Sequence, residues 1–141
     1  MSSERILIIC GDRNWHAPGP IYALCKTLPP DGRTIIITGG ASGADTIGAD
    51  AAVDLGHRSM VVHAPWKAYG KRAGPIRNGW MLELLQDLAR ANPKAKCEVH
   101  AFHANIASSK GTADMLGRAR GAGVTITLHS DPEEHLVGEV V

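Results

Sequence analysis

Short apolar runs recur along the chain and are separated by longer segments in which apolar residues follow a helical period. Five of these runs predict strands, at residues 5–10, 33–38, 58–63, 97–103 and 124–128. The runs are nearly continuous in apolar residues rather than alternating, which is typical of strands covered on both faces. We therefore expect a parallel sheet with helices packed against each face.

Four of the intervening segments predict helices, at residues 19–28, 43–55, 76–88 and 112–121. Strands that alternate with helices in this way are typical of βαβ units. The sequence therefore predicts an α/β fold, a Rossmann-like three-layer sandwich with a mainly parallel five-stranded sheet. We expect one domain over residues 1–130 and a polar C-terminal tail over residues 131–141.

Composition narrows the class of partner. Aromatic residues make up 4% of the chain and the formal net charge is +1, so a long nucleic acid is not an expected partner. The three cysteines have no paired spacing, which indicates buried thiols in a reducing compartment rather than disulfides or a metal site. No apolar run is long enough for a membrane span. We expect a cytoplasmic protein without a cofactor or a metal.

The strongest local signal is the glycine-rich loop between the second predicted strand and the following helix. Gly39, Gly40 and Gly43 allow the backbone to approach a ligand closely, and the helix N-terminus directs N–H groups to the same place. The loop therefore predicts a phosphate site, although a tight turn without a ligand is the alternative. Ser42 and Asp45 match a capping box, and Asp45 can equally contact a ribose hydroxyl.

A second loop follows the first predicted strand and carries Gly11 and Arg13. Arg13 either binds phosphate or pairs with Asp12. A third loop, over residues 66–78, is rich in cations and glycine, and Trp66 in it suits stacking against a base.

At the end of that third loop, Gly74, Arg77 and Asn78 precede or begin the helix predicted from residue 76. A helix dipole disfavours an arginine in the first turn, so the position of Arg77 suggests a contact with a ligand. On this argument, replacing Arg77 by alanine should weaken nucleotide binding and leave stability almost unchanged.

A fourth loop precedes the last predicted helix. Either Ser109 or Thr112 can cap that helix, and its first N–H groups, near Gly111, offer a second anion site. Asp114 lies in the first turn, where it complements the helix dipole.

Taken in order, these segments resemble the YspA-like branch of the SLOG superfamily, a group related to Smf/DprA and LOG proteins and common in bacteria and phages. The resemblance covers residues 5–128. It rests on the motifs Gly11-x-Arg13, GGAxGAD at 39–45, Trp66-x3-Gly70, AGPxRNxxM at 73–81 and GTADM at 111–115. It implies a Rossmann-like domain that binds nucleotides or nucleotide-derived ligands.

Within the superfamily, the Lonely Guy (LOG) enzymes hydrolyse nucleoside 5′-monophosphates at the N-glycosidic bond, using an arginine and the glutamate of a Gly-Thr-x-x-Glu motif. The resemblance places that arginine at Arg77, but the glutamate position is Met115 here. Asp114 is the neighbouring replacement, about 100° away around the helix. Two functions follow: a sensor or sequestering protein for a nucleotide-like ligand, or an N-glycosidase with Arg77 and Asp114 as catalytic residues.

The resemblance also implies a homo-oligomer, most simply a dimer. Trp80, Met81 and Leu84 would give the helix at 76–88 a broad apolar face for such a contact.

Overall fold

A five-stranded sheet organises the chain. The computed structural model describes residues 4–134, and in it the strand order is β3-β2-β1-β4-β5 with every pairing parallel. The strands are β1 Arg5–Gly11, β2 Thr34–Thr38, β3 Arg58–Val61, β4 Lys96–Phe102 and β5 Thr125–His129. The predicted α/β Rossmann-like fold is confirmed. The domain division stays a prediction, and most of the predicted tail, from residue 135 onwards, lies outside the described residues.

Five helices connect the strands in the described part of the chain. They are α1 Pro18–Lys26, α2 Ala44–Asp54, α3 Trp66–Tyr69, α4 Ala73–Ala91 and α5 Gly111–Gly121, with 3₁₀ turns at Gly70–Arg72 and Ile106–Ser108. The short α3 was predicted as loop. Helix α4 begins three residues before the predicted start, because a proline within the first turn interrupts no intrahelical hydrogen bond. Arg77 therefore lies in the second turn of α4.

The inner strands divide their side chains between two core layers. Leu7 and Ile9 pack with α1 and α2 on one face, whereas Ile6 and Ile8 pack with α4 and α5 on the other. This double burial explains the nearly continuous apolar run of β1. The same expectation was wrong for the two edge strands. All four residues of β3 are exposed, and Leu128 of β5 is 41% exposed; both strands lie at the edges of the sheet, where a neighbouring strand is present on one side only.

The face of α4 that suggested a dimer contact is largely a core face. Met81 is 1% exposed and Leu84 packs against the same core layer, so the sequence argument from these two residues was wrong. Trp80 remains at the surface with 41% of its area exposed.

Cys10 and Cys25 are buried, as predicted, whereas Cys97 is only half-buried; all three are free thiols. Burial raises the pKa of the Cys25 thiol to about 12. Among residues 4–134, no helix combines the length and the apolar character that a membrane crossing needs.

Strand order fixes where a ligand can bind. The chain moves outwards from β1 through β2 to β3 on one side, then returns to β4 on the other side of β1. In open α/β sheets the crevice beyond the carboxyl ends of two such strands is the usual ligand site. Here it lies between the loops that follow β1 and β4.

Gly11, at the end of β1, packs closely against the backbone of β4, and a substitution there tests this contact. Its φ is 151°, and a Cβ there would overlap the carbonyl oxygen of Phe102 and lie 2.8 Å from the Phe102 nitrogen. Because these neighbours are backbone atoms, we expect Gly11→Ala to lower the free energy of unfolding by ~3 kcal/mol or more. Urea denaturation measures this free energy.

Gly117→Ala is the matched control. Gly117 is exposed on α5, and a Cβ there would meet no atom within 4 Å, so we expect a neutral or slightly stabilising change. Equal midpoints for the wild type and Gly11→Ala would contradict the packing.

Candidate ligand-binding site

A cavity of about 420 Å³ opens at the crevice between β1 and β4. Its volume lies within the range of small-molecule sites, about 300–1,000 Å³. Its walls come from the loops after β1, β2 and β4, from the second and third turns of α4, and from the start of α5. The cavity thus brings together segments that are far apart in sequence.

Half of the residues predicted for the site line this cavity. They are Gly11, Arg13, Asp45, Arg77, Asn78, Gly111 and Thr112. The others lie outside its lining: Gly39, Gly40, Ser42, Gly43, Trp66, Gly74 and Asp114. Trp66 is 55% exposed and its ring lies over Gly74, away from the crevice.

The sequence also missed residues that line the cavity, among them Cys10, Met81 and His103. His103 was assigned to the end of a strand, but β4 ends at Phe102 and His103 is the first residue of the following loop. A predicted strand end one residue earlier would have placed His103 in the loop at the carboxyl ends of the strands, where the cavity lies.

The glycine-rich loop before α2 wraps around an internal carboxylate. Asp45 accepts hydrogen bonds from the N–H groups of Gly39 at 3.1 Å and Ala41 at 3.3 Å. The predicted capping box is wrong: Gly43 is the N-cap of α2 and no side chain caps it, because the Asp45 carboxylate turns back to the loop. Two N–H groups that suggested a phosphate site therefore serve Asp45.

Asp45 is 4% exposed, and this burial raises the pKa of its carboxyl from 3.8 to about 6. The Arg77 guanidinium and the two loop N–H groups act in the opposite direction and limit the rise.

Arg77 links α4 to this loop. Its Nη1 donates to the carbonyl oxygen of Gly39, and its Nε donates to Asn78 Oδ1 at 3.1 Å. A Cβ on Gly39 would lie 2.5 Å from Arg77 Nη1 and 2.7 Å from Asp45 Oδ2, so only glycine permits this approach. The helix-dipole argument for a ligand contact was wrong in its premise, since Arg77 is not in the first turn and has internal partners.

Asn78 links α4 to α5. Its side chain is buried, and Nδ2 donates to the carbonyl oxygen of Gly111 at 3.2 Å and to Asp114 Oδ2 at 3.0 Å. Asp114 Oδ2 also accepts from Arg118 Nε at 2.9 Å. The Asp114 carboxylate thus faces α4 and the outer surface of α5, while the neighbouring Met115 lines the cavity.

The start of α5 provides hydrogen-bond donors to the cavity. The N-cap of α5 is Lys110, which neither sequence candidate matched, but Ser109 just before it has an Oγ that accepts from the N–H of Thr112 at 3.0 Å. Within residues 4–134, the N–H groups of Lys110 and Gly111 donate to no protein acceptor. Lys110 and Arg13 line the same cavity and add positive charge there.

The floor of the cavity is apolar and rich in sulfur. It is formed by Cys10, Met81 and Met115, which are 6%, 1% and 1% exposed. Burial raises the pKa of the Cys10 thiol, so the floor stays uncharged. Methionine sulfur contacts aromatic rings favourably, and this floor suits a planar ring.

Comparisons with known proteins yield one distant structural likeness. No protein-family model and no curated protein matches the chain. The chain aligns with the solved structure of DNA processing protein A (DprA) from Streptococcus pneumoniae at 17% identity and a TM-score of 0.44. The alignment covers 92% of this chain and 60% of the DprA chain, so the chain spans less than two thirds of DprA. A likeness at this level carries no assignment of function.

The buried carboxyl of Asp45 predicts a specific pH dependence. With a pKa of about 6 in the folded state against 3.8 otherwise, the folded state binds the proton more tightly. This group therefore lowers stability as pH rises from about 4 to 6, by on the order of 2–3 kcal/mol. Asp45→Asn removes the effect, so its stability relative to wild type should increase across that window and then level off.

Urea denaturation at intervals from pH 4 to pH 8 measures this difference for Asp45→Asn. Asp50→Asn, exposed on the same helix, is the matched control and should give no comparable trend. A difference for Asp45→Asn that stays constant from pH 4 to pH 8 would contradict the buried carboxylate.

The contacts of Arg77 also change the expectation for Arg77→Ala. Its loss removes a donor to Gly39 and leaves the Asp45 carboxylate without its nearby cation. We expect a destabilisation of ~1–3 kcal/mol at pH 8 and a smaller one at pH 5, where Asp45 is largely protonated. Denaturation at the two pH values measures this, and the exposed Arg72→Ala is the control. An unchanged stability at pH 8 would restore the earlier expectation that Arg77 serves a ligand alone.

Proposed function

We propose that this chain is a SLOG-type protein of the cytoplasm that binds a nucleotide or nucleotide-derived small ligand in the cavity between β1 and β4. It would act as a sensor or sequestering protein for that ligand. The observation that carries the proposal is the shape and charge of the cavity. The lining includes cationic side chains, the start of α5 and an apolar floor, and the volume is about 420 Å³.

The phosphate is proposed to bind at the start of α5. The N–H groups of Lys110 and Gly111, the Lys110 ammonium group and the Arg13 guanidinium group can each contact an anion there. The loop at residues 39–43 contributes less, because Asp45 already accepts two of its N–H groups. The base is proposed to lie on the floor formed by Cys10, Met81 and Met115.

The alternative function, hydrolysis of a nucleoside 5′-monophosphate, has weaker support. That chemistry needs a carboxylate facing the ribose as positive charge develops on it. Met115 occupies the position of the enzymes' glutamate. Asp114 accepts from Asn78 and Arg118 outside the cavity lining, and Asp45 is bound to its own loop. Asp12 also lines the cavity, so the preference for binding without hydrolysis rests on Met115 and on the internal contacts of Asp114 and Asp45.

A homodimer remains part of the proposal. It rests on the resemblance and on Trp80, the exposed aromatic residue on α4. Light scattering of the purified chain tests it directly.

Calorimetric titration tests the binding function. The probes are the 5′-monophosphates of adenosine, guanosine, cytidine and uridine, with inorganic phosphate as a fifth. We expect one nucleotide to bind, and Lys110→Ala and Arg13→Ala each to weaken it about 10-fold or more, since each removes a charge-assisted contact. Lys94→Ala, an exposed lysine after α4 at the opposite edge of the sheet, is the matched control.

The same mixtures are then incubated for hours and separated by chromatography. We expect no free base. Release of base by the wild type would favour the N-glycosidase alternative, and failure of all five probes to bind would overturn the proposed function.

A further inference from the structure

Two polar side chains in the cavity stand next to each other because of the sheet register. Gly11 at the end of β1 pairs with Phe102 at the end of β4, so the next residues, Asp12 and His103, meet at the ligand edge. The N–H of Asp12 donates to the carbonyl oxygen of Phe102 at 2.9 Å, and the N–H of His103 donates to that of His129 at 3.0 Å. Both backbones are therefore held by the sheet.

Each of these side chains is oriented by a backbone N–H group of its own loop. Asp12 Oδ1 accepts from the N–H of Asn14 at 2.9 Å, and His103 Nδ1 accepts from the N–H of Asn105 at 3.0 Å. Since Nδ1 is an acceptor, the neutral imidazole carries its proton on Nε2. One acceptor, Asp12 Oδ2, and one donor, His103 Nε2–H, remain for the cavity that both residues line.

The two atoms are separated by a distance that fits an intervening oxygen. His103 Nε2 lies 4.0 Å from Asp12 Oδ2, which is too long for a direct hydrogen bond. An oxygen about 2.8 Å from both atoms would complete two hydrogen bonds that meet at about 90°. That oxygen must accept from His103 and donate to Asp12. A ligand hydroxyl group does both, in place of a water molecule, whereas a carbonyl or an ionised phosphate oxygen has no proton to donate.

We propose that Asp12 and His103 together bind one hydroxyl group of the ligand's ribose, at the 2′ or the 3′ position, and thereby select the ribonucleotide over the deoxy analogue that lacks this hydroxyl. The inference rests on the proposed function, because it assumes a nucleotide in this cavity. His103 is 7% exposed and Asp12 keeps 27% of its side chain accessible, so the donor is largely buried and the acceptor is partly accessible. An unmet donor and acceptor in such a wall discriminate strongly against an analogue that lacks the hydroxyl.

The test compares the best-bound 5′-ribonucleotide with its 2′-deoxy and 3′-deoxy analogues by calorimetry. We expect the wild type to bind one of the two analogues about 10- to 100-fold more weakly. Asp12→Asn keeps an oxygen for the N–H of Asn14 but presents an amide donor to the hydroxyl. It should reduce this preference towards unity. His103→Ala should do the same, and His103→Gln, which keeps a side-chain N–H, should restore part of it.

His16→Ala is the matched control, because His16 is exposed beside the same loop and outside the cavity lining. It should leave the preference unchanged. A wild type that binds the ribonucleotide and both analogues equally would overturn this inference and leave the proposed function standing. Parallel losses for ribo and deoxy ligands in Asp12→Asn and His103→Ala would also overturn it, since they indicate a structural role. If no nucleotide binds the wild type, the proposed function fails and the inference fails with it.

Discussion

The buried amide of Asn78 is the contact on which the geometry of the cavity depends. Its Nδ2 holds the first turn of α5 through Gly111 and Asp114, and its Oδ1 accepts from Arg77, which in turn reaches Gly39. One side chain on α4 thus couples the loops that follow β2 and β4. A buried amide without hydrogen-bond partners destabilises a protein, so a shift of either loop that breaks these hydrogen bonds would lower the stability of the fold.

The polar groups around the cavity fall into two sets, one that bonds to other parts of the protein and one that is available to a ligand. Asp45, Asp114 and Arg77 satisfy neighbouring parts of the protein and give the loops their shape. Arg13 and Lys110 line the cavity and have no hydrogen bond to another side chain among residues 4–134. A motif rich in glycine and carboxylates can therefore lie beside a cavity while most of its own polar groups bond to other parts of the protein.

The sequence predicted the fold well because its main signal, the length and continuity of apolar runs, reports burial in the sheet directly. The same signal wrongly predicted burial for β3, whose apolar residues lie on an exposed edge strand. The composition of a strand does not indicate whether the strand is central or at an edge. The site was predicted in part. Residues after β1 and before α5 follow from the rule that ligands bind at carboxyl ends of strands. The hydrogen bonds of Asp45 to the loop before it depend on tertiary contacts, which the spacing of residues does not encode. The position of His103 depends on a strand boundary that differs by one residue from the predicted one.

The chemistry of the cavity follows from which atoms reach it. Hydrolysis of a glycosidic bond needs negative charge close to the ribose, and the α5 position that would supply it holds a thioether, Met115, which cannot stabilise a cation as a carboxylate does. Asp12 does reach the cavity, where its Oδ2 lies 4.0 Å from His103 Nε2, a separation that fits an intervening hydroxyl group. A phosphate at α5, a ring on the sulfur-lined floor and a sugar hydroxyl between Asp12 and His103 would together use the donors, acceptors and apolar surface of the cavity. This fit to the parts of a nucleotide is the basis of the proposal that the cavity binds a nucleotide-like ligand.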